Sequence, residues 1–345
     1  MTASRRQLIA GAAALATLPQ PFFAQSGLTQ PRPVIRVQCQ GGPVEATLRD
    51  MIIPEFQRTH GIDVTLIVED DVTILPKLQV ARSRAPYDVC TMDNDKAILG
   101  AQMGLWAPDQ SANLKNIGAI YESCKPPAEA NYASQVYEYS LVYNTDTFKV
   151  PPLSWTDLWQ PGLKVGVPHV SQGYGLIFLY IAAMLNGGSA TNLDPGYAAI
   201  KRLGNFKVFR SVSQGVALFQ QKEIDAAQFY THRAVSMADA GIPVDKTVPK
   251  EGAWGMRTGS QIPKQTGNMK AALLWVDTAL SVPYQETFAK ALYSPTNADC
   301  RFDEAQQKRL ILGRDRVNAI REAPWAEILP QRDAILDRWN REFGS

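Results

Sequence analysis

Net charge is almost absent from this sequence. Lys and Arg number 35 against 33 Asp and Glu in 345 residues, a formal +2 at pH 7. A dedicated nucleic-acid binder carries a strong basic excess, so that class is excluded. Past residue 25 no run approaches the roughly 18 unbroken apolar residues of a membrane-spanning helix, so the chain beyond it reads as soluble. Histidine is scarce, with His60, His169 and His232 far apart in the chain. The four cysteines (Cys39, Cys90, Cys124 and Cys300) form no CxxC and none stands near a histidine at zinc spacing, so no metal site is expected. Missing too are the G-x-S-x-G elbow, the G-x-x-x-x-G-K-[ST] phosphate loop, H-E-x-x-H and an intact G-x-G-x-x-G. No motif speaks for catalysis, and neither an enzyme nor a cofactor is expected.

What is present describes a folded, exported protein. Apolar residues make up 45% and charged residues 20%, ordinary for a globular chain. At roughly 100–200 residues per domain the length predicts two domains. Residues 1–25 place Arg5 and Arg6 ahead of a short apolar stretch that ends at Pro19 and Pro21. That pattern is an export signal and resembles the twin-arginine type; a general export signal with a chance Arg pair is the plainer alternative. The expected compartment is the bacterial periplasm, where disulfides are permitted. Cys39 and Cys90 each close a strand-like run and could pair, or all four could remain buried thiols.

Strand-like and helix-like runs alternate along the chain. Residues 34–39 read as a strand, residues 43–56 as an amphipathic helix with Pro43 near its start, and 62–68 as a second strand. Further strands are expected at 87–90, 136–143, 165–168 and 224–230, and helices at 76–82, 176–185, 270–279 and 283–293. The tail beyond 301 is rich in charge, yet Ile328, Leu329, Ile335, Leu336, Trp339 and Phe343 keep helical spacing, so it reads as a packed amphipathic helix. The fold class is α/β with a mainly parallel sheet in the first half. Ligands in such sheets sit beyond the carboxyl ends of strands. Gln40, Gly41 and Gly42 after the first strand, and 91–95 after the third, are therefore natural site loops.

The signals also form a recognisable series. IPEF at 53–56, GIDV at 61–64, YDV at 87–89, SWTDLW at 154–159, VPKEGAWG at 248–255 and YSPTNAD at 293–299 follow the export signal in order. Together they resemble the solute-binding proteins of ABC importers, in particular the spermidine/putrescine-binding family, over nearly the whole mature chain. The resemblance implies a two-lobed periplasmic binding protein fold of the second type, with the ligand cleft between lobes and hinge closure around a solute. It puts one lobe at 33–138 plus 257–300 and the other at 139–256 plus 301–345. It implies a monomer that delivers its solute to a membrane permease, with no catalysis in this chain.

The ligand is where the sequence departs from that family. Polyamine binders use an aromatic pair after the first strand, where Gln40, Gly41 and Gly42 stand here, and acidic residues where Ser171, Gln172 and Gly173 stand. Thr258 occupies the place of an Asp. Hydroxyl, amide and glycine N–H groups at a helix start, with Arg257 near, suit an anion, while Asp93 keeps a negative charge opposite. The expected solute is a small polar organic anion or zwitterion, with a polyamine as the alternative. The candidate contacts are Gln40, Gly41, Gly42, Asp93, Tyr137, Tyr139, Ser171, Gln172, Gly173, Tyr230, Trp254 and Arg257. Several have plain readings: Asp93 as a helix cap, Trp254 as packing and Arg257 as a surface ion pair. Two further classes stay open, a ferric or other metal receptor using Tyr137, Tyr139, Tyr143, Tyr174 and Tyr230, and a periplasmic enzyme.

Overall fold

Alternating apolar residues open the ordered chain: VIRVQC forms β1 (Val34–Cys39). The structure, a computed structural model, describes residues 32–70, 73–81, 83–125 and 131–344, so the expected export signal at 1–25 lies outside the described residues. After β1 the chain turns at Gly42, whose φ of 74° falls in the region glycine tolerates best. Pro43, with its fixed φ, then starts α1 (Pro43–Thr47). The helix continues through a π-helical stretch, Leu48–Ile52, and ends as α2 (Ile53–His60) at left-handed Gly61. β2 (Asp63–Val68) runs parallel to β1.

Next come α3 (Ile74–Val80), β3 (Cys90–Asp93), α4 (Asn94–Gln102) and a long β4 (Tyr132–Asn144). β5 (Val165–Pro168), α5 (Gly173–Leu185), α6 (Asp194–Lys201), β6 (Phe206–Phe209), α7 (Val212–Gln220), β7 (Ala226–Tyr230), α8 (Thr231–Asp239) and β8 (Val244–Thr247) continue the alternation. β9 (Trp254–Gln261), α9 (Met269–Ala279), α10 (Val282–Ala289) and β10 (Ser294–Pro295) follow. Three short helices, α11 (Glu304–Gln307), α12 (Arg314–Asn318) and α13 (Trp325–Ile328), lead to α14 (Arg332–Phe343). Among the described residues no helix is long and apolar enough to cross a membrane.

The strands after β2 form one sheet in the order β3-β9-β4-β7-β5-β6, with β8 and β10 also paired to β4. Only β7–β5 and β5–β6 are parallel there; β3–β9, β9–β4 and β4–β7 are antiparallel. The parallel pairing expected of the first strands holds for β1–β2 and for the single Val37–Val89 bridge, whereas the β3 ladder is antiparallel to β9. Local alternation registers consecutive strands, and β3 takes its partner from far along the chain.

Two large cores flank this sheet. Phe56, Val136, Trp275, Tyr293 and Val317 belong to the first, and Tyr139, Trp155, Phe178, Phe229 and Trp339 to the second. A smaller third core, with Leu78, Tyr87 and Met92, sits under α3 and α4. Among the described residues three segments pass between the two large cores. β4 packs Tyr132 and Val136 into the first and Tyr139 onward into the second; β9 leads back, from Trp254 and Met256 in the second to Ile262, just past its end, in the first; and Ile320 of the first precedes Ala323 of the second. Where β9 crosses, a Cβ added to Gly255 would come 2.0 Å from the Tyr137 carbonyl oxygen, so the two strands touch through backbone.

The charged tail packs, but not as one helix: Ile328 ends α13 and Leu329 opens a 3-10 turn, while Ile335, Leu336, Trp339 and Phe343 share α14. Trp339 of α14 is fully buried against Tyr197 and Phe343, and Arg338 lies 4.0 Å over the Tyr197 ring. All four cysteines are buried thiols. Cys39 packs into the first core and Cys90 into the third, which explains why neighbouring strands do not bring them into a disulfide.

Candidate functional site

Five helices begin on the wall of one cavity of about 240 Å³. Gln40 and Pro43 mark the start of α1, Asp93 and Lys96 that of α4, Gln172 and Gly173 that of α5, Val212 that of α7, and Tyr230 and His232 that of α8. Each helix follows the carboxyl end of a strand, the place where open α/β sheets hold ligands. First-turn N–H groups have no partner within their own helix, so the wall carries partial positive charge from several directions.

The side chains add a sharper pattern. Asp93, at the end of β3, accepts a hydrogen bond from the hydroxyl of Thr258, its register partner on β9. Burial raises the Asp93 pKa, Lys96 opposes that and Asp95 adds to it. Lys96 Nζ stands 3.3 Å from Asp95 Oδ1. Gly173 lets α5 approach that pair, because an added Cβ would come 2.8 Å from Asp95 Oδ2. Gln40 is held by donating from Nε2 to the Thr91 carbonyl at 3.2 Å.

Aromatic rings fill the floor. Tyr139 and Tyr230 lie 4.8 Å apart, Tyr230 and His232 5.3 Å, Tyr137 and His232 5.4 Å, and Tyr137 and Tyr293 6.1 Å between centroids. Burial raises the hydroxyl pKa of Tyr137, Tyr139 and Tyr230, so they stay protonated. Tyr143 is elsewhere, against Phe148. Among the described residues no group of three His, Cys, Asp or Glu side chains is placed to hold a metal ion.

Arg233, in the first turn of α8, lies on the cavity wall beside the Tyr293 hydroxyl. Among the described residues no carboxylate pairs with it. His232 is only 8% exposed. Burial and the neighbouring Arg233 push its pKa down to about 3, so the ring is neutral.

Of the residues expected from sequence, Gln40, Gly41, Asp93, Tyr137, Gln172, Gly173 and Tyr230 line this cavity. Five do not. Gly42 caps α1, and Tyr139 sits behind Tyr230 with no exposed surface. Ser171 turns to His169, 2.8 Å from its Nδ1. Trp254 packs on Tyr180 at 5.5 Å, in the second core. Arg257 faces away from the cavity that Thr258 faces, because alternate strand residues point to opposite faces. It pairs with Glu322 and lines a separate cavity of about 550 Å³ with Cys124 and Trp325. Lys96, Tyr174, Arg233 and Tyr293 were not among the candidates. The signal that finds Lys96 and Arg233 is position: each stands three residues past the last residue of a strand, on the first turn of the next helix.

A family model described as bacterial extracellular solute-binding protein matches residues 41–286. Among curated proteins none matches the chain by sequence. Solved structures do resemble it. One, an ABC transporter from Clostridium perfringens ATCC 13124, has a TM-score of 0.78 and 23% identity, covering 89% of this chain and 99% of its own. An ABC transporter substrate-binding protein from Bradyrhizobium japonicum USDA 110 scores 0.75 at 19% identity, covering 90% and 100%. The periplasmic binding protein AgtB from A. tumefaciens R10, in complex with agropinic acid, scores 0.70 at 17% identity, covering 92% and 100%. At such identities the likeness shows the fold, that of two-lobed periplasmic binding proteins.

Proposed function

Because the chain belongs to the bacterial extracellular solute-binding proteins, we propose that it is the periplasmic receptor of an ABC importer, taking a small organic acid or zwitterion into the 240 Å³ cavity and handing it to a membrane permease. It performs no chemistry on the solute. The finer kinship with spermidine/putrescine binders is not needed for this reading. One observation carries the choice of solute: Arg233 stands on the cavity wall, at a helix start, with no carboxylate partner among the described residues. Arginine near the interior without a counter-ion is costly, and an acid group supplies one with two parallel hydrogen bonds. An acid bound by AgtB, a protein of the same fold, agrees with this.

The cores support lobes of about 33–138 plus 257–320 and 139–256 plus 323–344, with the last crossing later than the sequence predicts. Solute then bridges both lobes and favours the closed arrangement. A polyamine is the second reading, favoured by Asp93 and the tyrosine-rich floor. Thermal unfolding decides between them. A ligand at about 1,000 times its Kd adds roughly 4 kcal/mol and moves the midpoint by several degrees. Carboxylates and amino acids are expected to shift the midpoint, and Arg233→Gln to remove the shift. A shift with putrescine and spermidine alone overturns the acid reading.

A further inference from the structure

We infer that the solute carries an ammonium and an acid group together, the ammonium held at Asp93 and the acid at Arg233. This rests on the cavity being the solute site. The charges on its wall are sorted by core. Asp93 and Lys96 lie between Met92 and Ala97, which pack into the third core, and Asp70 on the same wall acts on Asp93, whereas Arg233 precedes Ala234 of the second.

At the Asp93 end the recorded hydrogen bond comes from Thr258, which leaves most of the roughly four acceptor positions of a carboxylate open. The cation nearest to it, Lys96, is shared with Asp95. Tyr137 and Tyr230 stand on the same wall, and aromatic faces attract ammonium groups.

The Arg233 end has the opposite character. Beyond Arg233 itself, the first turn of α8 offers N–H groups. His232, next to Arg233, is more than nine-tenths buried, and its ring nitrogens have no hydrogen-bond partner among the described residues. The Tyr174 hydroxyl, also without a partner, lies within the electrostatic reach of Lys96 at the other end. Tyr137 lies between the ends, within the electrostatic reach of both Asp93 and Arg233.

A diamine would satisfy Asp93 and press a second cation against Arg233. A diacid would do the reverse. Only a solute with both groups compensates both walls, and it gains affinity when the lobes close on it. The cavity lies below the roughly 300–1,000 Å³ of sites for drug-sized ligands. A cavity of that size favours a compact amino acid.

Titration calorimetry on the purified protein tests this with four probe sets of matched chain length: amino acids, monocarboxylates, dicarboxylates and diamines. One amino acid is expected to bind at least about tenfold more tightly than its matched diamine and dicarboxylate. Asp93→Asn and Arg233→Gln should each weaken it by roughly ten- to a hundredfold. Asp93→Asn should also narrow the gap between the amino acid and the matched monocarboxylate, which a general loosening of the fold would not do. If either variant melts as unfolded, the probe ranking on the unaltered protein decides alone. A dicarboxylate as tight as the amino acid overturns the Asp93 subsite and leaves the acid reading standing. Diamines alone overturn both, and silence from every amino acid overturns the inference.

Discussion

Arg257 of β9 is ion-paired to Glu322, and Asn94 of α4 donates to the same carboxylate at 2.8 Å. Three segments that are remote in sequence meet at this one acid group, beside the last crossing between the two large cores. The arginine that sequence reasoning assigns to the solute thus ties the crossing segments together.

Replacing Arg257 with Gln should therefore cost stability and spare binding. Glu322 would keep Asn94 but lose its charge partner, and the loss is expected at about 1–3 kcal/mol by urea unfolding. Solute affinity per folded molecule should stay within about threefold. The contrast with Arg233→Gln is the check, because that change is expected to weaken binding by roughly ten- to a hundredfold with no loss of stability.

Gly255→Ala should be among the most damaging small changes in the chain. The added methyl would meet the Tyr137 carbonyl oxygen, which is backbone of the neighbouring strand and cannot rotate away. Separating two strands that serve both cores is expected to cost about 3 kcal/mol. Chemical unfolding of the variant measures it, and a change within experimental error would contradict the close approach.

Acidification should weaken the fold through His232. Its folded pKa of about 3 lies below the usual value of about 6.5. Between those two values the unfolded chain takes up a proton that the native ring refuses. Stability is therefore full above about pH 6.5 and falls as pH drops towards 3, by at most about 1.4 kcal/mol per pH unit from this group. His232→Gln should flatten that limb of a stability-versus-pH curve while leaving the curve above pH 7 parallel to the original.

The thiols should be silent until the fold opens. Burial pushes the Cys39 and Cys300 thiols up to about 12, far from the thiolate that alkylates. Iodoacetamide at pH 8 should leave the native protein unmodified. In urea without reductant it should add four groups by mass, and a shortfall of two would reveal a disulfide.

The course of the helices and strands was readable because each carries its own period. Pro43 at a helix start, the alternation of VIRVQC and the apolar stripe from Ile335 through Trp339 are local facts, and all three stand in the structure as expected. The strand expected at 87–90 shows why boundaries were less secure. Val89 makes a single bridge to Val37, while the ladder proper begins at Cys90, where β9 becomes available as a partner.

The candidate site was legible wherever a loop directly follows a strand, as with Gln40, Gln172 and Tyr230. It failed at β9, where one residue decides the face. Thr258 and Arg257 are adjacent, and nothing in the local sequence says which of them meets the cavity. That depends on β9 pairing with β3 and β4 in a particular register, and a one-residue slip would exchange their roles.

From the sequence alone came the α/β class, the near-neutral charge and the strand ends from which a site could be built. These follow from composition and from periods of two and 3.6 residues, which act over a few neighbours. The tertiary structure decided that Arg257 braces the crossing segments, that Arg233 and Asp93 line one cavity, and that the first strands pair in separate sheets. Each of those depends on contacts between segments far apart in the chain, and only packing of the whole molecule brings them within reach.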